Sequence, residues 1–196
     1  MDMARQHSQT AQARSHSPLV VNITRLGRRP GAMFTLHETV ANPARIGLDM
    51  IGVAAGAPLD LDLRVESVSE GVLVTGTMSA PITGECSRCL MPIEEQIHVN
   101  LTELFAYPDS LTQATTEEDE VGHVVADTVD LEQPIIDAVG LELPFSPVCR
   151  DDCPGLCATC GVALATADPE HHHDEIDPRW AKLTTMLGDS DGVGSE

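Results

Sequence analysis

Apolar and polar residues alternate over most of residues 46–105, a pattern typical of antiparallel strands with one buried face. The turn Ser69-Glu70-Gly71 separates two such strands. The pattern predicts an antiparallel β-sheet. A sheet that curls into a barrel-like form is an alternative that the pattern does not exclude. Leu61, Leu63, Val65 and Val68 are predicted to face the core and Asp60, Asp62, Arg64 and Glu66 the solvent, with further strands at Val72 to Met78 and at Ile97, Val99, Leu101 and Leu104.

Other segments predict elements outside this sheet. The β-branched run 19–24 predicts a first strand, and the polar, acidic segment 107–126 predicts a long loop. Residues 130–142 predict a short amphipathic helix with Asp130 as its N-cap, and residues 177–187 predict a last helix. The expected class is therefore α+β: a predominantly antiparallel sheet, one or two short helices and a C-terminal zinc knuckle. The apolar face of the helix at 130–142 would hold Leu131, Ile135, Ile136 and Val139.

This pattern divides the chain into four regions. Residues 1–17 are polar and unpatterned and predict a disordered arm. Residues 18–148 predict a β-rich domain that includes the acidic loop and the helix, and residues 149–187 predict a metal-binding segment followed by the last helix. Residues 188–196 predict a disordered tail. A length of 196 residues suits one ordinary core with a small appended module.

Charge is distributed unevenly along the chain. The formal net charge is −20, yet residues 1–45 contain six of the eleven basic residues and only two acidic ones. An acidic body repels phosphate, so a basic protein is a more favourable partner than RNA; acidity that serves solubility alone is the alternative. Direct RNA binding would use the N-terminal part, with Arg25, Arg28 and Arg29 as the candidate contacts, although three arginines in a solvated loop are equally consistent. Aromatic residues make up 3% of the chain, so stacking platforms for single-stranded RNA are not expected.

The expected compartment follows from apolar runs and from cysteine spacing. No run approaches the length of a membrane span, and the N-terminal sequence lacks the apolar block of a secretory signal, so the sequence predicts a cytoplasmic protein. In a reducing compartment, six cysteines in close pairs indicate metal binding rather than disulfides.

The cysteines and nearby histidines predict two zinc sites. Cys157 and Cys160 followed by Gly161 resemble a zinc knuckle, which supplies two ligands to a tetrahedral site. His171 and His173 alternate in an extended segment, so both can project to one side and complete that site. The other site would then consist of Cys86, Cys89, Cys149 and Cys153.

Other assignments of the cysteines stay open. Cys86 and Cys89 could instead combine with Cys157 and Cys160, and iron could occupy a four-thiolate site. Redox chemistry would place a Cys-x-x-Cys motif at a helix N-terminus, whereas here the flanks predict hairpins. The sequence has no HExxH, GxSxG, phosphate loop or deaminase-type His-x-Glu with Pro-Cys-x-x-Cys, so no catalytic residues are assigned and an enzyme is not expected.

At these motifs the chain resembles the YceD family, the large ribosomal RNA subunit accumulation proteins of bacteria and plastids. The resemblance rests on CSRCL at 86–90, CRDDCPGLCATCG at 149–161 and DPRWAKL at 177–183, and it extends over roughly residues 19–187. It implies a non-enzymatic role in 23S rRNA accumulation and large-subunit assembly. The implied partners are the pre-50S particle, 23S rRNA or a basic ribosomal protein, with neither a membrane nor a small-molecule substrate.

The resemblance also bears on the metal ligands. Some members of the family keep the equivalents of Cys86, Cys89, Cys149 and Cys153 but lack the segment with Cys157 and Cys160, which favours two separate sites. Others have Cys-x-Cys where this chain has His171 and His173, so an imidazole would replace a thiolate as the ligand.

Overall fold

A computed structural model of the protein describes residues 17–115 and 121–173. The chain divides into two compact units, residues 1–152 and residues 153–196. Residues 1–16 of the N-terminal arm predicted at 1–17, the centre of the acidic loop at 116–120 and the predicted last helix and tail lie outside the described residues. No helix in the described part is long and apolar enough to cross a membrane.

The first unit is built on one large, mostly antiparallel sheet. Its strands are β2 (Met33–Ala41), β3 (Ile46–Gly47), β4 (Ile51–Val53), β5 (Pro58–Ser67), β6 (Gly71–Glu85), β7 (Pro92–Ala106) and β8 (Gly122–His123). β6 lies at the centre, because it pairs with β7 along its whole length on one edge and with β5 and then β4 on the other. The β6–β7 hairpin therefore extends from the middle of the sheet to the turn that contains Cys86 and Cys89.

The predicted antiparallel sheet is confirmed, but the barrel-like alternative is wrong. Among the described residues, β2 pairs only with β5, β3 only with β4 and β8 only with β7. These three strands are therefore edges of the sheet, and the sheet does not close. The two-residue strands β3 and β8 are too short to continue the pairing around a closed sheet.

The buried face of the sheet follows the predicted alternation. Leu61, Leu63 and Val65 are 4% exposed or less, but Val68 lies beyond the end of β5 and Ser67 takes the buried position instead. The Ser67 hydroxyl is 3.0 Å from the Tyr107 hydroxyl, so this buried polar side chain has a hydrogen-bond partner. The opposite face of β2, β5, β6 and β7 is polar and mostly exposed to solvent.

Smaller elements cover the buried face. β1 (Val20–Asn22) pairs with β9 (Thr128–Asp130) in a separate two-stranded sheet. The helix α2 (Glu132–Glu142) contacts β7. The predicted helix is confirmed, but it begins at Glu132 and its N-cap residue is Leu131 rather than Asp130. The Glu132 amide donates a hydrogen bond to the Asp130 carboxylate at 3.0 Å. Of its predicted apolar face, Ile136 is only half-buried.

The segment 107–126, predicted as a long loop, includes two short elements in its described part. It contains α1 (Leu111–Thr115) and β8, and the Glu70 carboxylate accepts hydrogen bonds from the first amides of α1. In the second unit, the described residues 153–173 form turns and one isolated bridge between Leu156 and Ala163.

Candidate metal centres

The first Cys-x-x-Cys motif forms the turn between β6 and β7. The Cys86 amide donates to the Met91 carbonyl at 2.8 Å, and the Leu90 amide donates to the Cys86 carbonyl at 2.9 Å. Leu90 has a φ of 61°, in the left-handed region. The turn is tight because the β6–β7 register continues to the pair Glu85 and Pro92, which leaves six residues to reverse the chain.

The second Cys-x-x-Cys motif repeats this backbone arrangement in the second unit. The Cys157 amide donates to the Val162 carbonyl and the Gly161 amide to the Cys157 carbonyl, both at 2.8 Å. Gly161 has a φ of 73°, so it adopts the same left-handed conformation as Leu90. Two motifs with different neighbours in the sequence thus form turns with the same pair of hydrogen bonds.

Side-chain positions define two groups that could hold a metal ion. Each group consists of four ligand atoms that all lie within 4.8 Å of one another. These groups correspond to the two sites predicted from the sequence, rather than to the combination of Cys86 and Cys89 with Cys157 and Cys160. The first contains Cys86, Cys89, Cys149 and Cys153, and the second contains Cys157, Cys160, His171 and His173.

The first group is largely protected from solvent. Cys86 is 0%, Cys89 9% and Cys153 5% exposed, whereas Cys149 is exposed. The Cys89 and Cys149 sulfurs are 3.7 Å apart, although 60 residues separate them in the sequence. Ser87 brings the segments together, because its amide donates to the Pro147 carbonyl at 2.8 Å.

The second group is more open. Cys157 and His171 are half-buried, whereas Cys160 and His173 are exposed. The Cys160 sulfur lies 3.5 Å from Nε2 of His171, and the His171 and His173 rings meet edge to face at 4.8 Å between centroids. His172 points elsewhere: its Nδ1 lies 2.6 Å from the Glu170 carbonyl oxygen, in keeping with the predicted alternation of the three histidines.

Backbone amides favour the thiolate form of the first cysteine of each Cys-x-x-Cys motif. The pKa of Cys86 is lowered to about 6, chiefly because the Cys149 amide donates to its sulfur, with burial acting in the opposite direction. The pKa of Cys157 is also lowered to about 6, chiefly by the Cys160 amide and then by the His171 side chain. Thiolates are the form of cysteine that binds metals, so both turns are suited to this task.

The ligand types are compatible with a tetrahedral metal ion such as zinc. Thiolate and imidazole are the preferred ligands of Zn²⁺, and a four-ligand group without a vacant position suits a structural ion. Cys86 and Cys89 lie in a hairpin turn, and Cys157 and Cys160 lie in a turn beside an isolated bridge, so neither pair begins a helix. The low-pKa thiol at a helix N-terminus that defines dithiol oxidoreductases is therefore not the arrangement seen here.

The predicted RNA contacts are partly engaged inside the first unit. The Arg25 guanidinium lies 3.8 Å from the centroid of the Phe34 ring. Arg28 lies 4.7 Å from the centroid of the Tyr107 ring and forms an ion pair with Asp109 at 2.9 Å. Both arginines, like Arg29, remain exposed, and their role in binding RNA stays a prediction.

Sequence reasoning missed the unusual conformation of Leu90. The signal was present, since Gly161 follows the second cysteine of the other motif where Leu90 follows that of the first. A shared turn would have predicted a left-handed residue at both positions, which glycine adopts without strain and leucine does not.

Comparison with known proteins gives matches of different strength. Residues 74–187 match the family model described as large ribosomal RNA subunit accumulation protein YceD. An uncharacterized protein of Mycobacterium tuberculosis is 69% identical over 99% of this chain and 94% of its own length. The chloroplastic large ribosomal RNA subunit accumulation protein YCED homolog 1 of Zea mays is 25% identical over 61% of this chain and 50% of its own length.

A second mycobacterial relative and the extent of the family match establish the family of the chain. An uncharacterized protein of Mycobacterium leprae is 57% identical over 99% of this chain and 92% of its own length. No solved structure matches. The family model covers more than half of the chain and includes all eight candidate ligands, so the chain belongs to the YceD family of large ribosomal RNA subunit accumulation proteins.

Proposed function

We propose that the protein is a non-enzymatic accessory factor that supports 23S rRNA accumulation and assembly of the large ribosomal subunit in the cytoplasm. The match of residues 74–187 to the YceD family is the observation that carries this proposal. The maize relative, whose name describes the same role, supports it. The pre-50S particle is the expected site of action.

The proposal assigns a structural zinc ion to each of the two groups of ligands. In the first group, zinc would join the β6–β7 turn to the segment after α2, which 60 residues separate from it in sequence. A metal that links distant segments contributes its binding free energy to folding, so removing it should loosen this end of the sheet. In the second group, zinc would order a segment that has little regular secondary structure in its described part.

Deletion and complementation test this function. In cells that lack the gene, the ratio of 23S to 16S rRNA should fall and 50S particles should decrease on sucrose gradients, with both restored by the wild-type gene. A Cys86→Ser and Cys89→Ser double variant should fail to restore them. Ser87→Ala lies in the same turn, keeps the backbone hydrogen bond to Pro147 and should restore them fully. An unchanged ratio in the deletion strain would refute the assembly role.

A second candidate is a zinc-dependent module that binds a basic ribosomal protein without contacting RNA. The charge of −20 favours it, as do the contacts of Arg25 and Arg28 within their own unit. A variant with alanine at Arg25, Arg28 and Arg29 separates the two modes of action. Full restoration of 23S rRNA supports protein binding, whereas loss of restoration in a folded variant, with RNA affinity that falls steeply with salt, supports direct RNA contact.

A further inference from the structure

Large apolar side chains are exposed beside the first group of ligands. Leu90 is 57% and Met91 56% exposed in the β6–β7 turn, and Phe145 is 87% exposed after α2. The hydrogen bond between Ser87 and Pro147 joins the two loops that carry these residues. A single exposed leucine is ordinary, but three large apolar side chains on two joined loops mark a candidate interaction surface. We call these three residues the apolar patch.

The backbone of Leu90 supplies an independent observation. Its φ of 61° is strained for a residue with a Cβ. Gly161 fills the equivalent position in the other turn without such strain. The Leu90 side chain is mostly exposed and so gains little burial in the fold to offset this strain. Strain of this kind concentrates where a side chain serves a purpose other than folding.

The charge around the apolar patch indicates what could cover it. The two loops and the adjoining ends of β6, β7 and α2 contain more acidic than basic side chains. Of the basic ones, Arg88 donates to the Asp151 carbonyl and Arg150 forms an ion pair with Asp152, so both already interact within the protein. The acidic residues near the patch in sequence are Glu85, Glu94, Glu95, Glu142, Asp151 and Asp152.

We infer that the apolar patch binds a basic protein segment that inserts apolar side chains beside the first metal centre. Negative surroundings attract lysine and arginine and repel the phosphates of RNA. The exposed apolar side chains supply the contact area that a purely electrostatic complex lacks. This inference deepens the proposed function by naming the surface and the chemistry of the partner, and it rests on that function for the ribosomal source of the segment.

Synthetic peptides test the inference with the full-length, zinc-loaded protein. One labelled peptide combines six lysines with three leucines and one phenylalanine, and a second replaces the four apolar residues with serine at equal charge. Fluorescence anisotropy should show at least tenfold tighter binding of the first peptide. Equal affinity for the two peptides would refute a role for the apolar patch.

Variants locate the binding surface and separate it from folding. Leu90→Gly relieves the backbone strain, so its melting temperature should stay the same or rise while affinity for the apolar peptide falls about tenfold. Phe145→Ser should weaken binding similarly, whereas Leu111→Ser, at an exposed leucine of α1, should not. Two results would overturn the inference. One is unchanged affinity of both patch variants for the apolar peptide. The other is an RNA oligomer that binds the wild-type protein more tightly than the apolar peptide does and no longer binds the Leu90→Gly variant.

Complementation distinguishes this inference from the proposed function. If the peptide binds as expected but deletion of the gene leaves 23S rRNA unchanged, the surface stands and the assembly role fails. If deletion lowers 23S rRNA but Leu90→Gly and Phe145→Ser restore it fully and bind the peptide normally, the assembly role stands and the surface assignment fails.

Discussion

At the scale of single residues, environment decides what a side chain contributes. Glu103 of β7 is half-buried, and its pKa is raised by burial and by the negative charge of Asp137 on α2. Its charged form is therefore less favourable in the folded protein than in the unfolded chain. The folded state loses stability as the pH rises through the window between the unfolded and the raised folded pKa, and the full penalty is reached once the pH lies above that window.

Replacing Glu103 with glutamine should consequently stabilise the protein at pH 7. Because the side chain is partly exposed, the gain in free energy of unfolding should be under about 1 kcal/mol. The gain should disappear when the pH falls below the unfolded pKa, because the Glu103 carboxyl is then protonated in both the folded and the unfolded protein. Urea unfolding at several pH values measures it, with exposed Glu94→Gln on the same strand as the control. A loss of stability at pH 7 would contradict this account.

At the scale of elements, close strand approach fixes the centre of the sheet. Gly76 of β6 has a φ of 149°, and a Cβ at this position would lie 2.1 Å from the Asp62 carbonyl oxygen of β5. Gly140 of α2 has no such neighbour within 4 Å. Gly76 is therefore required because the neighbouring strand leaves no room for a Cβ, whereas Gly140 only lowers the helix propensity of α2.

The two glycines predict opposite effects of alanine. Gly76→Ala should lower the free energy of unfolding by about 2–4 kcal/mol, because the β5–β6 pairing must separate to admit the methyl group. Gly140→Ala should raise it by up to about 1 kcal/mol through helix propensity. Thermal unfolding followed by circular dichroism compares them directly, and a Gly76→Ala protein as stable as the wild type would show that the strands can shift at no cost.

The sequence predicted long elements better than short ones. β5 and α2 have enough residues for alternation or helical spacing to be visible, so their core positions such as Leu63 and Ile135 were predicted correctly. α1, β8 and β9 have five residues or fewer and no period to detect, and tertiary contacts such as the Glu70 carboxylate at α1 help to form them. Whether the sheet closes depends on edge pairing, which alternation does not encode.

At the scale of the whole molecule, the two groups of ligands differ in exposure and chemistry. Spacing within the Cys-x-x-Cys motifs predicted each turn locally, but it left open which pairs meet, because that depends on the path of the chain between them. The first group has four sulfurs and is mostly buried, whereas the second combines two cysteines and two histidines, one of each half-buried and one of each exposed.

Zinc should consequently leave the two groups at different rates. Protein purified without a histidine tag should contain two zinc ions by plasma mass spectrometry. A chromogenic chelator should remove one quickly and the other slowly. His171→Ala with His173→Ala should abolish the fast phase and leave one zinc, whereas His172→Ala should retain two. Absence of bound metal, or bound iron with a visible chromophore, would contradict the assignment of structural zinc.

The separation of Cys89 and Cys149 by 60 residues also orders events in time. At a synthesis rate of ~5–20 residues per second, about 3–12 s pass between translation of the two cysteines. The strands from β2 to β7 are complete before Cys149 is made, so the sheet can begin to fold while its first metal group lacks half of its ligands. The four cysteines of the first group can therefore come together only after α2 has been synthesised. On the proposal that zinc binds there, a shortage of zinc should stop folding at this late step rather than at its start.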